Sequence, residues 1–217
     1  MNINSYKTLI SELPVQQQSF TTKRSTWRKA ENEIDWLTDS NNKLFDNKET
    51  LNISRQDIFD SSGTARELIL KTIYWGYTAG MRGNHFVNIL KNIQILETTF
   101  VDLKNKSNPT SSDFIDLTKV IKNISGIHLS TYSKLLYFFD IKFNEAPCLI
   151  LDQRLIDVFN SGFYYEYSSL GKINNYNKEA KYLTYLDLTH QLATTLHTKG
   201  ENIEQFLFIF GANLKIN

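Results

Sequence analysis

The sequence predicts an all-helical fold, on three observations. Apolar residues recur at helical spacing along most of the chain. Only 3 Pro and 9 Gly interrupt 217 residues, too few for the turns of a many-stranded β architecture. Hydrophobic residues make up 41% and aromatic residues 13%, which is enough to fill a core. The length suits one compact domain over 1–217. Cys148 is the single cysteine, so the chain by itself forms neither a disulfide framework nor a thiolate metal cluster, and no metal is expected. Met1 to Leu13 carries no basic region followed by an apolar stretch. Runs such as Phe206 to Phe210 fall far short of the ~18 residues that cross a bilayer. A cytoplasmic protein with no membrane partner is the expectation.

The elements follow from the apolar periodicity. A first helix is expected over Arg24 to Thr38, with Trp27, Ala30, Ile34 and Leu37 at helical spacing, then a polar loop over Asn41 to Asn52. Ser54 to Asp60 reads as a short capped turn, and Thr64 to Trp75 as a helix. Gly80-Met81-Arg82-Gly83-Asn84 breaks the pattern. One long helix should then run from His85 to about Leu103, with Asn84 as its N-cap. Loops are expected at Lys104 to Pro109 and Ser168 to Asn177. Further helices are expected over Ser112 to Asn123 and over 129–140, 153–160, 178–198 and 202–211.

Residues 124–159 carry the functional signal. A helix ending near Asn123 and one starting near Leu129 are joined by Ser125-Gly126-Ile127-His128, a helix-hairpin-helix pattern within 112–140. On the second helix Leu129, Tyr132, Leu135, Leu136 and Phe139 form a core stripe. The opposite face holds Ser130, Thr131, Lys134, Tyr137 and Phe138. Two aromatics beside one lysine are unlike a solvent face and would suit a pocket wall. Further on, Pro147 to Leu151 is apolar and ends at Asp152, which is placed to cap a helix over 153–160. Lys134 and Asp152 lie 18 residues apart.

The segment Lys134 to Asp140, a short loop, and Ile150-Leu151-Asp152 resembles the active-site region of helix-hairpin-helix DNA glycosylases, closest to the compact 8-oxoguanine glycosylase-like branch. In that family a helix-borne lysine follows the hairpin, and an aspartate about 18 residues later caps the next helix. The hairpin departs from the family pattern in having His128 where a second glycine is usual. Trp75-Gly76-Tyr77 and Gly80 to Asn84 are similar to a bacterial subgroup associated with antiphage operons. The resemblance implies a two-lobed helical fold with a central cleft and damaged or modified DNA as partner. It also implies catalytic roles for Lys134 and Asp152.

Such chemistry requires a base flipped out of the stack. Phe138, Trp75 and Tyr137 are the candidate stacking faces. Asp152 would stabilise positive charge on the sugar, and Lys134 would attack as a neutral amine to form a Schiff base. Gly126, Ile127, His128 and Ser130 would meet the DNA backbone, through amides or a bound monovalent cation; no other cofactor is implied. Arg82, Gly83 and Asn84 form a candidate anion site ahead of the next helix. His85, His190 and His197 show no metal-ligand spacing.

The formal charge of +1, from 24 basic and 23 acidic residues, predicts modest non-specific affinity for DNA. Three readings therefore stay open: a bifunctional glycosylase/lyase acting on an oxidised or modified purine, a non-catalytic modified-base or nucleotide-binding module acting in antiphage defence, and an enzyme using the same pocket on a nucleotide or modified protein rather than duplex DNA.

Overall fold

The computed structural model describes residues 2–214. Helices dominate, in agreement with the predicted class. In chain order the elements are α1 (Lys7–Ser11), β1 (Ser19–Lys23), α2 (Arg24–Glu31), α3 (Leu37–Phe45), β2 (Thr50–Ser54), α4 (Arg55–Phe59), α5 (Ala65–Gly76), α6 (His85–Lys91), α7 (Ile93–Asn105), α8 (Ser111–Lys122), α9 (Leu129–Phe138), β3 (Lys142–Phe143), β4 (Ala146–Pro147), α10 (Gln153–Asn160), α11 (Lys178–Leu196) and α12 (Gly200–Phe210).

Three expectations need correction. The loop expected at Asn41 to Asn52 is divided between the end of α3 and β2, which pairs antiparallel with β1 so that Phe20 faces Ile53. Here tertiary pairing overrides a polar local sequence. The single helix expected over Arg24 to Thr38 is two, because the chain turns at 32–36. The long helix expected from His85 also breaks, at Asn92. Its backbone leaves the helical region (φ −106°, ψ 18°) and its side-chain amide donates to the Asn88 carbonyl, a local alternative to the helical ladder.

α9 runs through the middle of the molecule. Every residue from Leu129 to Phe138 except Ser130 is buried. The face opposite the expected core stripe is therefore covered as well, by α5 and by Phe59 of α4.

Extended chain over 149–151 follows β4. Its carbonyls cannot be left unpaired in the core. Buried tyrosines of α11 supply the donors: Tyr182 Oη donates to the Leu149 carbonyl (2.8 Å) and Tyr185 Oη to the Ile150 carbonyl (3.1 Å). The Leu151 amide donates to Ser133 Oγ of α9 at 3.1 Å.

Candidate active site

That last bond sets the geometry of the site. Ser133 immediately precedes Lys134, and Leu151 immediately precedes Asp152. One side-chain-to-backbone bond spanning 18 residues thus brings the start of α10 against the middle of α9. Asp152 has extended backbone and caps α10, its Oδ1 accepting from the Leu155 amide at 3.1 Å. Lys134 and Asp152 line the same cavity, of about 200 Å³. Its walls come from both halves of the chain: Gln18, Phe20, Arg55 and Trp75 on one side, and Lys134, Asp152, Glu204 and Phe208 on the other.

Lys134 is 6% exposed. Its stem lies against Gly76, where an added Cβ would fall 2.8 Å from Lys134 Cδ. The glycine of Trp75-Gly76-Tyr77 therefore makes room for the lysine. The Nζ donates to the Ser130 carbonyl at 2.7 Å and sits 5.4 Å from the centre of the Tyr77 ring. Tyr77 is held in turn by the hydroxyls of Thr131 (2.6 Å) and Ser130 (3.2 Å). The amine is thus folded back along α9, and no ion pair joins it to Asp152 among the described residues.

The aromatic residues are distributed differently from the sequence expectation. Trp75 lines the cavity but is 4% exposed. Its indole N–H donates to the Gln18 carbonyl at 3.2 Å. Phe138 is 2% exposed and packs between Phe59 and Trp75, with ring centres 5.3 Å from each. It is a core residue in this state, because α9 is enclosed on all sides. Tyr137 lines a second, larger cavity and donates its hydroxyl to Glu201 Oε2 at 2.7 Å. The aromatics that are only partly buried and line the Lys134 cavity are Phe20 and Phe208. Arg154, exposed and two residues beyond Asp152, lies over the Phe208 ring at 4.9 Å and donates to the Ile209 carbonyl.

Sequence reading also missed a buried ion pair. Arg55 and Glu204 are each 1% exposed and bond through two contacts, of 2.9 and 3.2 Å. The guanidinium lies 5.3 Å from the Trp75 ring centre and 4.9 Å from that of Tyr137. Burial opposes its charge, yet Glu204 beside it holds Arg55 firmly protonated. Burial pushes the Glu204 carboxyl up, and Arg55 pulls against this. The one signal in the sequence was an acid inside the apolar run of α12, next to Ile203 and close to Phe206 and Leu207. Nothing local linked it to Arg55, 149 residues away.

A tight turn over 123–128 joins α8 to α9. Gly126 has φ +97°, which glycine adopts without strain. A Cβ there would meet His85 at 2.7 Å, so the close approach this glycine permits here is to α6. Ile127 is buried, and His128 is exposed at the N-cap of α9. Burial, with Lys178 and His85 nearby, lowers the pKa of His128. At the candidate anion site, Asn84 makes no side-chain cap and its Oδ1 accepts from Lys29 Nζ at 3.1 Å; α6 has only seven residues. Gly83 has φ +55° and fits a turn. Cys148 is buried, and burial pushes its thiol pKa well up, as expected of an inert thiol. No group of three His, Cys, Asp or Glu among the described residues could hold a metal ion. No helix among them is long and apolar enough to cross a membrane.

A helical chain with a helix-borne lysine and a helix-capping aspartate on one cavity has the arrangement that the resemblance to helix-hairpin-helix DNA glycosylases implied. The comparison with family models makes this specific. The model described as "Putative 8-oxoguanine DNA glycosylase OGG-like protein" matches residues 13–208, and the chain belongs to that family. No curated protein and no solved structure matches.

Proposed function

We propose that the chain excises an oxidised or modified purine from DNA, with an associated lyase step through Lys134. The observation that carries this is the shared cavity of Lys134 and Asp152, walled by Trp75 and by the partly exposed Phe20 and Phe208. A flipped base would lie against Phe208 once Arg154 moves off its ring, which would free the guanidinium for a phosphate. As the glycosidic bond breaks, the base leaves with the bonding electron pair and positive charge grows at the anomeric carbon. Asp152 stabilises that charge. The neutral Lys134 amine, released from the Ser130 carbonyl, donates its lone pair to the same carbon. A proton then passes from the nitrogen to the ring oxygen as the sugar ring opens, giving the protonated Schiff base, and the departed base anion takes a proton from solvent. Gly126, Ile127, His128 and Ser130 would face the DNA backbone, with amides or a monovalent cation as the contact.

A second reading has its own observation. The Lys134 amine is committed to the Ser130 carbonyl and unpaired with Asp152, and net charge is near neutral. Both suit a modified-base or nucleotide-binding module, one setting for which is bacterial antiphage defence. Incubation with an 8-oxoguanine duplex and borohydride separates the two. A covalent protein–DNA adduct is expected. Binding of the duplex without an adduct would replace the enzymatic reading by the module.

A further inference from the structure

The Lys134 amine is held by more than its bond to the Ser130 carbonyl. The Tyr77 ring centre lies 5.4 Å from Nζ, where the negative face of an aromatic ring attracts an ammonium. The ring is anchored by its own hydroxyl, which bonds Thr131 Oγ1 at 2.6 Å and Ser130 Oγ at 3.2 Å. Thr131 is 3% exposed, so little water competes for that bond. Tyr77 is also the residue at which α5 ends. Its backbone has left the helical region (φ −140°, ψ 61°), and its carbonyl accepts from the Gly80 amide. A residue at such a junction can turn without unwinding a helix. Ser130 enters twice: its carbonyl holds the lysine and its hydroxyl holds Tyr77. It is the one residue of α9 that is not buried, and it lies two residues beyond His128.

We infer that Tyr77 is a positioning residue that parks the Lys134 amine on Ser130, away from Asp152, and that the DNA backbone releases the amine by taking the Ser130 hydroxyl. The inference rests on the reading of Lys134 as nucleophile and Ser130 as backbone contact, and adds a regulation to that site. A serine hydroxyl that donates to a phosphate oxygen is withdrawn from Tyr77. Parking has a chemical use. An amine facing an open cavity would condense with any small aldehyde that entered, and Tyr77 confines it until DNA is in place. Breaking the latch draws on binding energy, so a protein without the latch should bind DNA more tightly. Tyr77 acts through Lys134 and is not assigned contact with the reacting atoms.

The test uses the full chain and two variants of nearly native shape that loosen the latch from opposite sides. Tyr77→Phe removes the anchoring hydroxyl, and Thr131→Val removes its nearer partner. Without DNA, each protein is treated with formaldehyde and cyanoborohydride, and methylation of each lysine is followed by peptide mass spectrometry. Lys134 should react about threefold to tenfold faster in either variant than in the native protein, the scale of one lost hydrogen bond. Lys71, whose side chain is 19% exposed, reports general loosening, and its rate should stay the same. Titration with an 8-oxoguanine duplex, read by fluorescence anisotropy, should show both variants binding about threefold or more tighter than the native protein. Loss of a merely structural contact would leave that affinity level or weaken it.

Unchanged methylation of Lys134 in a variant that a thermal melt shows folded would overturn the inference. So would a rise that Lys71 shares, or a duplex affinity that stays level or falls. Failure of the catalytic reading shows separately, as a native protein that gives no borohydride adduct. If the variants still unmask Lys134 and bind the duplex more tightly, the parking stands and only the nucleophile's task is lost.

Discussion

Two cavities meet at the Arg55–Tyr137 stack, and they are built in opposite ways. The cavity at Lys134 holds about 200 Å³, and three of its charged groups, Lys134, Arg55 and Glu204, are almost wholly buried. The one at Tyr137 holds about 500 Å³. Most of its charges belong to rim residues, Asp140, Lys142 and Lys199, the last with a side chain 79% exposed, and only Glu201, at 14%, is largely covered. Its volume reflects a gap between β4, α11 and the start of α12. Burying charge is costly unless every charge is held, so charges kept inside the smaller space mark it for chemistry. Size alone would have chosen the other cavity.

The sharpest test of that contrast substitutes one lysine in each cavity. Lys134→Gln should abolish the borohydride adduct, whereas Lys199→Gln should leave its yield unchanged. An adduct surviving in Lys134→Gln would assign the nucleophile elsewhere. A chemical melt of Phe138→Ala comes next: the side chain is enclosed between Phe59 and Trp75, and its loss should cost about 3–5 kcal/mol of stability. A small loss would return Phe138 to the pocket wall that the sequence proposed. Asp152→Asn should lower the single-turnover rate on the order of 100-fold, with little change in stability, because Asn caps a helix about as well as Asp. Equal rates would leave Asp152 a cap only. Phe208→Ala should weaken binding of an 8-oxoguanine duplex by roughly 1–3 kcal/mol, the scale of one lost stacking contact, while the fold stays near native stability.

The smallest effect belongs to the hairpin, where a titrating group sits at the surface. His128 is held below its ordinary pKa by burial, Lys178 and His85. The unfolded chain therefore takes up a proton first as pH falls below about 6.5. Stability should decline slightly through that range, and a His128→Gln variant should lack this component in melts at pH 7 and pH 5.5. An identical acid dependence in both proteins would detach His128 from it.

Sequence alone determined the helical class, the hairpin at Ser125 to His128, the Asp152 cap and the spacing that pairs Asp152 with Lys134. The first three are local statements, written in periodicity, turn chemistry or capping within a few residues; the spacing of Lys134 and Asp152 had meaning only through the family resemblance. The sequence could not decide which aromatics face the cavity. A helix pattern says which residues share a face, and only packing says whether that face is covered. Phe138 and Tyr137 shared the face of Lys134 as read, but α5 and Phe59 enclose it, and Phe20 and Phe208 took the exposed positions. The Arg55–Glu204 pair and the Ser133–Leu151 bond lay further out of reach. They join residues 149 and 18 positions apart, and no local energy ties such residues together. Only the tertiary fold, by burying both partners in one place, lets each answer the other's charge or hydrogen-bonding need.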